Sequence, residues 1–157
     1  MEQDKHKFME EAIAVSIDNM KKGGGPFGAV IVKDGKIIAQ AGNSVTNTND
    51  PTAHAEVNTI RLAAKALNTF DLSGCEIYTS CEPCPMCLGA IYWARLDKIY
   101  YANTKTDAKN IGFDDSFIYD EIATPIAERK IKTIQMDRDK AIKAFQLWET
   151  SEDKTEY

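Results

Sequence analysis

The stretch from residue 76 to residue 102, EIYTSCEPCPMCLGAIYWARLDKIYYA, decides the fold class. Its first five residues, EIYTS, include the β-branched and aromatic types that form short strands. Pro83 and Pro85 suit the first turn of a helix, which continues through MCLGAIYWARL. The segment KIYYA at residues 98–102 predicts a second strand. A strand, a helix and a strand in this order indicate an α/β protein.

The sequence before this stretch predicts a helix followed by a hairpin. Residues 4–21 carry apolar residues among charged ones at helical spacing, which is typical of an amphipathic helix. Residues 27–33 and 36–41 are two apolar runs that flank Asp34-Gly35. An Asp-Gly pair between two such runs is the strongest short-range signal for a β-hairpin.

Further elements are predicted in the middle and at the end of the sequence. Asp50 can cap a helix that Pro51 opens and that runs to about Leu67. Residues 131–136 (IKTIQM) predict a last strand, and residues 137–150 predict a last helix. The side chains expected to face inward from that helix are those of Ala141, Ala144, Phe145 and Trp148.

Together these elements predict a single α/β domain over residues 1–157. The expected architecture has three layers, α/β/α, with a central mixed sheet of about five strands and helices on both faces. Residues 103–122 have helix-capping residues and short apolar pieces without a clean period, so their structure stays open.

The composition favours a protein that acts on a small molecule. The chain has 157 residues, with 19 basic and 24 acidic side chains and a net charge of −5. Proteins that bind nucleic acid usually carry a basic face, and this chain has no basic stripe. Its longest apolar run is shorter than the ~18 residues of a spanning helix, and its first residues lack the apolar core of a secretory signal. We therefore expect a cytoplasmic protein with no membrane partner.

One histidine and two cysteines form the most informative group. His54 lies at the start of one predicted helix, and Cys84 and Cys87 lie at the start of another. Two residues three apart at a helical start project on one side, and the positive end of the helix dipole favours thiolates. One His and two Cys are a known catalytic zinc set, with three protein ligands and a fourth position open.

Two further residues decide whether that zinc would be catalytic or structural. Cys81 could serve as a fourth ligand and close a structural Cys₃His site. Against this, the helix that follows leaves Cys81 at the end of the strand. Glu56 stands two residues from His54, so it does not share a helical face with it and is a poor fourth ligand. A carboxylate near the open position could instead act as a base.

The pair His-x-Glu and Pro-Cys-x-x-Cys matches the pattern of zinc nucleobase deaminases. Over essentially its whole length the chain resembles the cytidine deaminase superfamily, and within it the bacterial guanine deaminases. The similar segments are GPFGAV at 25–30, DPTAHAE at 50–56, YTSCEPCPMCLGAIYWAR at 78–95 and GFDDSF at 112–117. The first three occur widely, including in tRNA adenosine deaminases. The FDDSF segment and Tyr157 are more discriminating.

The resemblance implies a zinc-dependent hydrolytic reaction in guanine catabolism. Guanine would be attacked at C2 and converted to xanthine and ammonia. His54, Cys84 and Cys87 would hold one zinc per subunit, and the metal lowers the pKa of its water toward neutrality, so that hydroxide is available as nucleophile. Glu56 would take the proton and deliver it to the base and then to the departing amine.

The resemblance also implies a set of substrate contacts and a subunit arrangement. The residues it places around the base are Phe27, Asn43, Ala55, Ser80, Trp93, Asp115 and Tyr157. Asp115 would in addition assist proton transfer. The chain would form a homodimer in which the C-terminal segment is swapped between subunits, so that Tyr157 closes over a base in one of the two sites.

Three other functions remain open at this point. A tRNA adenosine deaminase is disfavoured by the acidic charge and by FDDSF. A cytosine deaminase would use the same metal set on a smaller base. A non-catalytic zinc module, from a different class, would use Cys81 as a fourth ligand and would unfold when the metal is removed.

Overall fold

The computed structural model describes residues 2–157. Its helices and strands are interspersed along the first two thirds of the chain, and only helices follow β4. They are α1 (Glu2–Lys21), β1 (Gly28–Lys33), β2 (Lys36–Gly42), α2 (Val45–Thr48), α3 (Ala55–Leu67), β3 (Cys75–Cys81), α4 (Pro85–Trp93), β4 (Lys98–Asn103), α5 (Lys105–Asn110), α6 (Ser116–Ala123), a 3₁₀ helix (Ile126–Glu128) and α7 (Arg138–Thr150). The predicted α/β class is confirmed. None of these helices is both long and apolar enough to cross a membrane.

The sheet is mixed, as predicted, and has the strand order β2-β1-β3-β4. β1 pairs antiparallel with β2 and with β3, whereas β3 pairs parallel with β4. Among the described residues it has four strands, one fewer than the approximate number predicted. Residues 131–136, which the sequence predicted as a strand, have no regular secondary structure and are not part of a ladder. An apolar run becomes a strand only when a neighbouring backbone accepts its hydrogen bonds.

The β1–β2 hairpin turns at the predicted residues. Asp34 has φ = 50° and Gly35 has φ = 75°. Two central residues with positive φ form a type I′ turn, whose twist matches that of the flanking strands. Aspartate tolerates this conformation and glycine adopts it without steric cost, which is why the Asp-Gly pair predicted the hairpin.

Helices cover both faces of the sheet. On one face, Ala12 of α1 packs against Val30, Val32 and Tyr78. On the other face, Ala29 and Ile31 belong to a second cluster, with residues of α3 and α4. Because successive side chains of a strand point to opposite faces, a strand buried on both sides is apolar throughout, and GAVIVK of β1 has this pattern. The three-layer prediction is therefore confirmed for this part of the chain.

The chain consists of two compact units. The first comprises the described residues up to Asp115, and the second comprises Ser116–Tyr157. The second unit contains α6, the 3₁₀ helix and α7, and none of its residues is buried. The prediction that α7 buries Ala141, Ala144, Phe145 and Trp148 is therefore wrong for the single chain. Phe145 is 74% exposed, because a helical apolar stripe becomes buried only where another surface covers it.

The register of the sheet collects several chain segments at one edge. Gly28 at the start of β1 pairs with Gly42 at the end of β2, and Ala29 pairs with Thr79 near the end of β3. The segments just beyond these residues therefore leave the sheet on the same side. They carry Phe27, Asn43 and the Cys84–Cys87 motif, so the fold gathers most of the predicted site there.

Candidate metal centre

His54 is the residue immediately before α3. It has extended backbone angles, with φ = −69° and ψ = 157°, and its carbonyl accepts a hydrogen bond from Asn58 N. The helix therefore begins at Ala55 rather than at Pro51, where the sequence predicted it. The Asp50 carboxylate accepts hydrogen bonds from the backbone and hydroxyl of Thr52, and so forms a local turn. The turn delays the helix and leaves His54 as its N-cap.

Cys84 occupies the equivalent position before α4. Its backbone is also extended, with φ = −69° and ψ = 170°, and Pro85 is the first residue of the helix. Proline favours this place because it has no N–H to satisfy and its φ already suits a helix. The Cys84 thiol accepts a hydrogen bond from Cys87 N. Of Pro83 and Pro85, which both suited a helix start, it is Pro85 that begins α4. His54 and Cys84 are therefore the N-cap residues of α3 and α4.

The three predicted ligands come together at these two helix starts. His54 Nδ1 lies 3.5 Å from Cys84 Sγ and 3.5 Å from Cys87 Sγ, and the three atoms lie within 4.8 Å of one another. Zinc ligands at about 2.0–2.3 Å in a tetrahedron are roughly 3.5 Å apart, so these donors have the spacing that the ion requires. No other such group of potential ligands occurs within residues 2–157.

The electrostatics of the cluster suit a cation. The hydrogen bond with Cys87, together with the neighbouring His54, lowers the pKa of Cys84 to about 4. The same hydrogen bond and burial raise the pKa of Cys87. Two thiols in contact resist carrying two negative charges, and a divalent cation between them removes that repulsion. The donor set of one nitrogen and two sulfurs therefore fits zinc.

Cys81 lies outside the ligand group. It is the last residue of β3, and its thiol donates a long sulfur hydrogen bond to Thr104 O at 3.7 Å. Burial, with the nearby Glu56 carboxylate, raises its pKa to about 11. The Cys81 sulfur does not belong to the group of donor atoms that lie within 4.8 Å of one another. The three-ligand interpretation is thus favoured over a closed Cys₃His site.

Glu56 is buried beside the ligands. It lies in the first turn of α3, is 8% exposed and has its carboxyl group beside the Cys87 thiol. Burial raises its pKa, because a carboxylate loses solvation when it is removed from water. A carboxyl group with a raised pKa next to a metal site is suited to accept and return a proton.

Asn43 and Phe27 approach each other across Gly25. A Cβ on Gly25 would meet the Phe27 ring at 3.3 Å and the Asn43 carboxamide carbon at 3.4 Å, so glycine leaves room for both. Asn43 Oδ1 accepts a hydrogen bond from Val45 N at 3.1 Å. This contact assigns the amide orientation and leaves Nδ2 as the donor that faces away from Val45.

Asp115 is the last residue of the first unit. Burial raises its pKa, and the Cys84 thiolate acts in the same direction. Its charge also raises the pKa of Cys81. Asp115 therefore lies near Cys84 and Cys81. Nearby, Phe113 packs edge-on against Phe27, with 5.0 Å between ring centroids. Phe113 lies within the GFDDSF segment, but the sequence alone predicted no role for it.

The other predicted substrate contacts have different surroundings. Ala55 is fully buried, and the buried Ser80 hydroxyl accepts a hydrogen bond from Gly28 N at 3.0 Å, which extends the β1–β3 pairing at the site edge. Trp93 is the last residue of α4 and is 68% exposed, about 9 Å farther along the helix than Cys87. Tyr157 belongs to the second unit, and its side chain is exposed.

Asn58 is a site residue that the sequence pattern missed. Its carboxamide donates hydrogen bonds to Gly42 O and Ser44 Oγ, both at 3.0 Å, and to Ala53 O at 3.3 Å. It therefore ties the Asn43 segment to the loop that leads into His54. The only sequence signal for Asn58 was a polar side chain one helical turn after His54. The hydrogen-bond partners of Asn58 are 5–16 residues away in the sequence, so the local pattern does not identify them.

The chain matches the family model described as the cytidine and deoxycytidylate deaminase zinc-binding region over residues 2–103. The chain belongs to this deaminase family. The matched residues include His54, Glu56, Cys84 and Cys87, so the donor group described above lies within the zinc-binding region of the family. The predicted membership and the predicted zinc cofactor are confirmed.

Relatives within the deaminase family cover this chain to different extents. The guanine deaminase of Bacillus subtilis (strain 168) is 54% identical over 151 residues, which cover 96% of this chain and 97% of that protein. An X-ray structure of guanine deaminase from Bacillus subtilis has a TM-score of 0.94 at 53% identity, covering 97% of this chain and 98% of that chain. The tRNA-specific adenosine deaminase of Aquifex aeolicus (strain VF5) is 44% identical over 98 residues, 62% of this chain and 65% of that protein.

Proposed function

We propose that this protein catalyses the hydrolytic deamination of guanine at C2, with xanthine and ammonia as products. One observation carries the proposal: similarity to a guanine deaminase extends over 96% of the chain, whereas similarity to a tRNA adenosine deaminase stops at 62%. The zinc chemistry is common to both classes. The similarity to guanine deaminase therefore extends beyond what the two classes share, and we propose that the additional part helps to select the substrate.

The proposed reaction consumes one water and moves its protons through Glu56. His54, Cys84 and Cys87 would hold the zinc, which would supply an activated water by lowering its pKa from 15.7 to about 7. The Glu56 carboxylate accepts a proton from the attacking water as a C–O bond forms at C2, and returns it to a ring nitrogen. Glu56 then carries the remaining proton, that of the hydroxyl added at C2, to the exocyclic nitrogen, so that the C–N bond breaks, ammonia leaves and the C2 carbonyl of xanthine forms. The buried position of Glu56 beside Cys87 supports this assignment.

Asn43 and Phe27 are proposed to hold the base. The Asn43 Nδ2 group can donate to an acceptor of the purine, because Val45 N already occupies its Oδ1. Phe27 contributes an aromatic surface that Phe113 supports from the side. Ala55, Ser80 and Trp93 remain proposed contacts by resemblance alone.

Asp115 is proposed to meet the amino-bearing edge of guanine. Its pKa is raised by burial, so it exchanges a proton more readily near neutral pH than an exposed aspartate does. A carboxyl group that accepts a hydrogen bond from the exocyclic amine distinguishes guanine from a base with a carbonyl at that position.

We further propose a homodimer in which residues 116–157 of one subunit complete the site of the other. The second unit exposes a run of large apolar side chains, including Ile131, Ile134, Phe145 and Leu147. Exposed apolar surface of this kind marks a protein–protein interface. In such a dimer Tyr157 would close over the base bound to the partner.

The cytoplasm is the proposed location. All four cysteines are free, and the pair Cys84–Cys87 is needed as thiolates by the metal. A reducing compartment keeps such thiols from pairing as a disulfide.

A substrate panel tests the reaction. The wild-type protein and the Glu56→Gln variant are incubated with guanine, cytosine, adenine, their nucleosides and a tRNA anticodon stem, and ammonia release is measured. We expect ammonia from guanine only, with xanthine as the co-product, and none from the variant. Preferred turnover of the anticodon stem or of cytosine would assign the protein to the corresponding alternative.

A mixed-subunit experiment tests the dimer. A Glu56→Gln chain has an inactive site and an intact Tyr157, whereas a chain lacking Tyr157 has an intact site. Unfolding the two chains together and refolding them with zinc allows mixed dimers to form. If the tail serves the partner, the refolded mixture regains about a quarter of the activity of refolded wild type, because uniform mixing makes about half of all dimers mixed and each mixed dimer has one of its two sites complete. Activity no higher than that of the separately refolded variants would contradict the swap.

A further inference from the structure

Asn19 lies near the end of α1 and connects two segments of the proposed base site. Its Nδ2 donates to Gly25 O and to Asn43 O, both at 2.8 Å. Gly25 precedes Phe27 by two residues, and Asn43 is the proposed donor to the purine. One carboxamide therefore holds the backbone of both base-contacting segments from a helix that carries none of the proposed catalytic residues.

The surrounding glycines make room for this side chain. A Cβ on Gly42 would come within 2.3 Å of the Asn19 carboxamide, and one on Gly24 would come within 2.4 Å of its Nδ2. Contacts shorter than 3.0 Å are not sustained by real Cβ atoms, so each of these positions needs glycine to keep Asn19 in place. The Gly23–Gly25 run thus does more than end α1.

The Asn43 segment is held from the opposite side as well. Asn58 of α3 donates to Gly42 O at 3.0 Å, and Asn19 of α1 donates to Asn43 O at 2.8 Å. The successive carbonyls of Gly42 and Asn43 are therefore each bound by a carboxamide from a different helix. This arrangement limits the rotation of the backbone that aims the Asn43 side chain.

We infer that Asn19 is a positioning residue for guanine binding, acting through Asn43. The inference rests on the proposed function, since it is Asn43 that is proposed to touch the base. Only a group with two N–H donors can serve both carbonyls at once, and Asn19 supplies both from one nitrogen. An aspartate in its place has the same shape but presents acceptors to acceptors, which repel.

The inference predicts a particular kinetic pattern. Asn43 binds the base before and during the reaction, so loss of its alignment weakens ground-state and transition-state binding together. For Asn19→Asp we expect KM for guanine to rise about tenfold, with kcat within about threefold of wild type. Zinc content is expected to stay unchanged, because His54, Cys84 and Cys87 are not held by Asn19.

A double-mutant cycle with Asn43→Ala separates positioning from general destabilisation. If Asn19 acts through Asn43, Asn19→Asp raises KM less than about twofold when Asn43 is already alanine. Ser16→Ala is the matched control, since it removes a side-chain hydrogen bond to Ile13 O from the same helix without reaching the Asn43 segment. Its KM is expected to match that of wild type. All assays are run below the unfolding temperature of every variant.

Gly42→Ala provides a second variant if Asn19→Asp does not fold. The added Cβ displaces the Asn19 carboxamide, so the same rise in KM and the same coupling to Asn43→Ala are expected. Additive effects on KM in the cycle, or a loss of kcat with KM unchanged, would overturn the inference.

Failure of the proposed function gives a different result. If wild type deaminates another base of the panel instead of guanine, the proposed function fails, and the same cycle on that base tests Asn19. If wild type deaminates none of the bases, that result contradicts both the proposed function and the role inferred for Asn19.

Discussion

The two units of this chain bury their apolar residues to very different extents. The first unit, up to Asp115, contains every buried residue of the described chain, and the metal ligands lie at one edge of its sheet. The second unit, Ser116–Tyr157, has two α-helices and no buried residue. Both units have amphipathic segments, but only the first folds its apolar faces against one another.

This difference indicates where each unit obtains its stability. A unit with a two-sided sheet and covering helices is stabilised by its own apolar burial. A short helical unit without buried residues gains little from burial within itself and depends on a covering surface. We expect substitutions in the first unit to act on chemistry and folding, and substitutions in the second to act on assembly.

The largest expected effect is at Glu56. Replacing it with glutamine keeps the size of the side chain but removes its ability to accept a proton, so turnover should fall about 10³-fold or more. Zinc measured by metal analysis should stay near one per chain, because Glu56 is not in the ligand group. Glu10→Gln, an exposed site on α1, is the control and should retain wild-type activity. Residual turnover above about a tenth of wild type would remove Glu56 from its assigned role.

An intermediate effect is expected at Phe145 in α7. Placing aspartate at this exposed position should weaken the proposed dimer about a hundredfold or more, since each subunit loses the burial of an aromatic side chain and gains a charge. Analytical ultracentrifugation over a concentration series measures the change. Gln146→Asp adds the same charge at the neighbouring position and should leave the dimer intact. Equal dissociation constants for the Phe145 variant and wild type would show that this face of α7 is not an interface.

The smallest expected effect is at Cys81. Cys81→Ala removes a buried thiol and should lower stability by about 1 kcal/mol, which is a shift in Tm of roughly 2–4 °C for a chain of this size. Zinc content should not change, as the thiol faces Thr104 O rather than the ligand group. Cys75→Ala, also buried, is the comparison for a thiol away from the site. Loss of zinc from the Cys81 variant alone would restore the four-ligand alternative.

Much of the first unit could be predicted because the signals are local. The Asp-Gly turn, the strand and helix around residues 76–102 and the ligands His54, Cys84 and Cys87 follow from neighbouring residues. Helix starts were less predictable. Asp50 and Pro51 have the composition of a helix start, but the Asp50 carboxylate closes a turn on Thr52 instead, and α3 begins at Ala55.

The second unit was harder to predict because its patterns depend on surfaces that are distant in sequence. Residues 131–136 have the composition of a strand, but they form no ladder within the described chain. The apolar stripe of α7 is present in the sequence, yet Phe145 remains exposed. Periodicity identifies which side of a helix is apolar and does not identify what covers it.

The amino-acid sequence alone determined the class of chemistry, because His-x-Glu together with Pro-Cys-x-x-Cys is the pattern of zinc nucleobase deaminases. Only the tertiary structure decided which residues support that chemistry. Asn19 and Asn58 are unremarkable in the sequence, and they contact the Asn43 segment because the sheet and two helices bring them there. A ligand is recognised by its residue type and spacing, whereas a supporting hydrogen bond is defined by partners that only the folded chain brings within 3 Å.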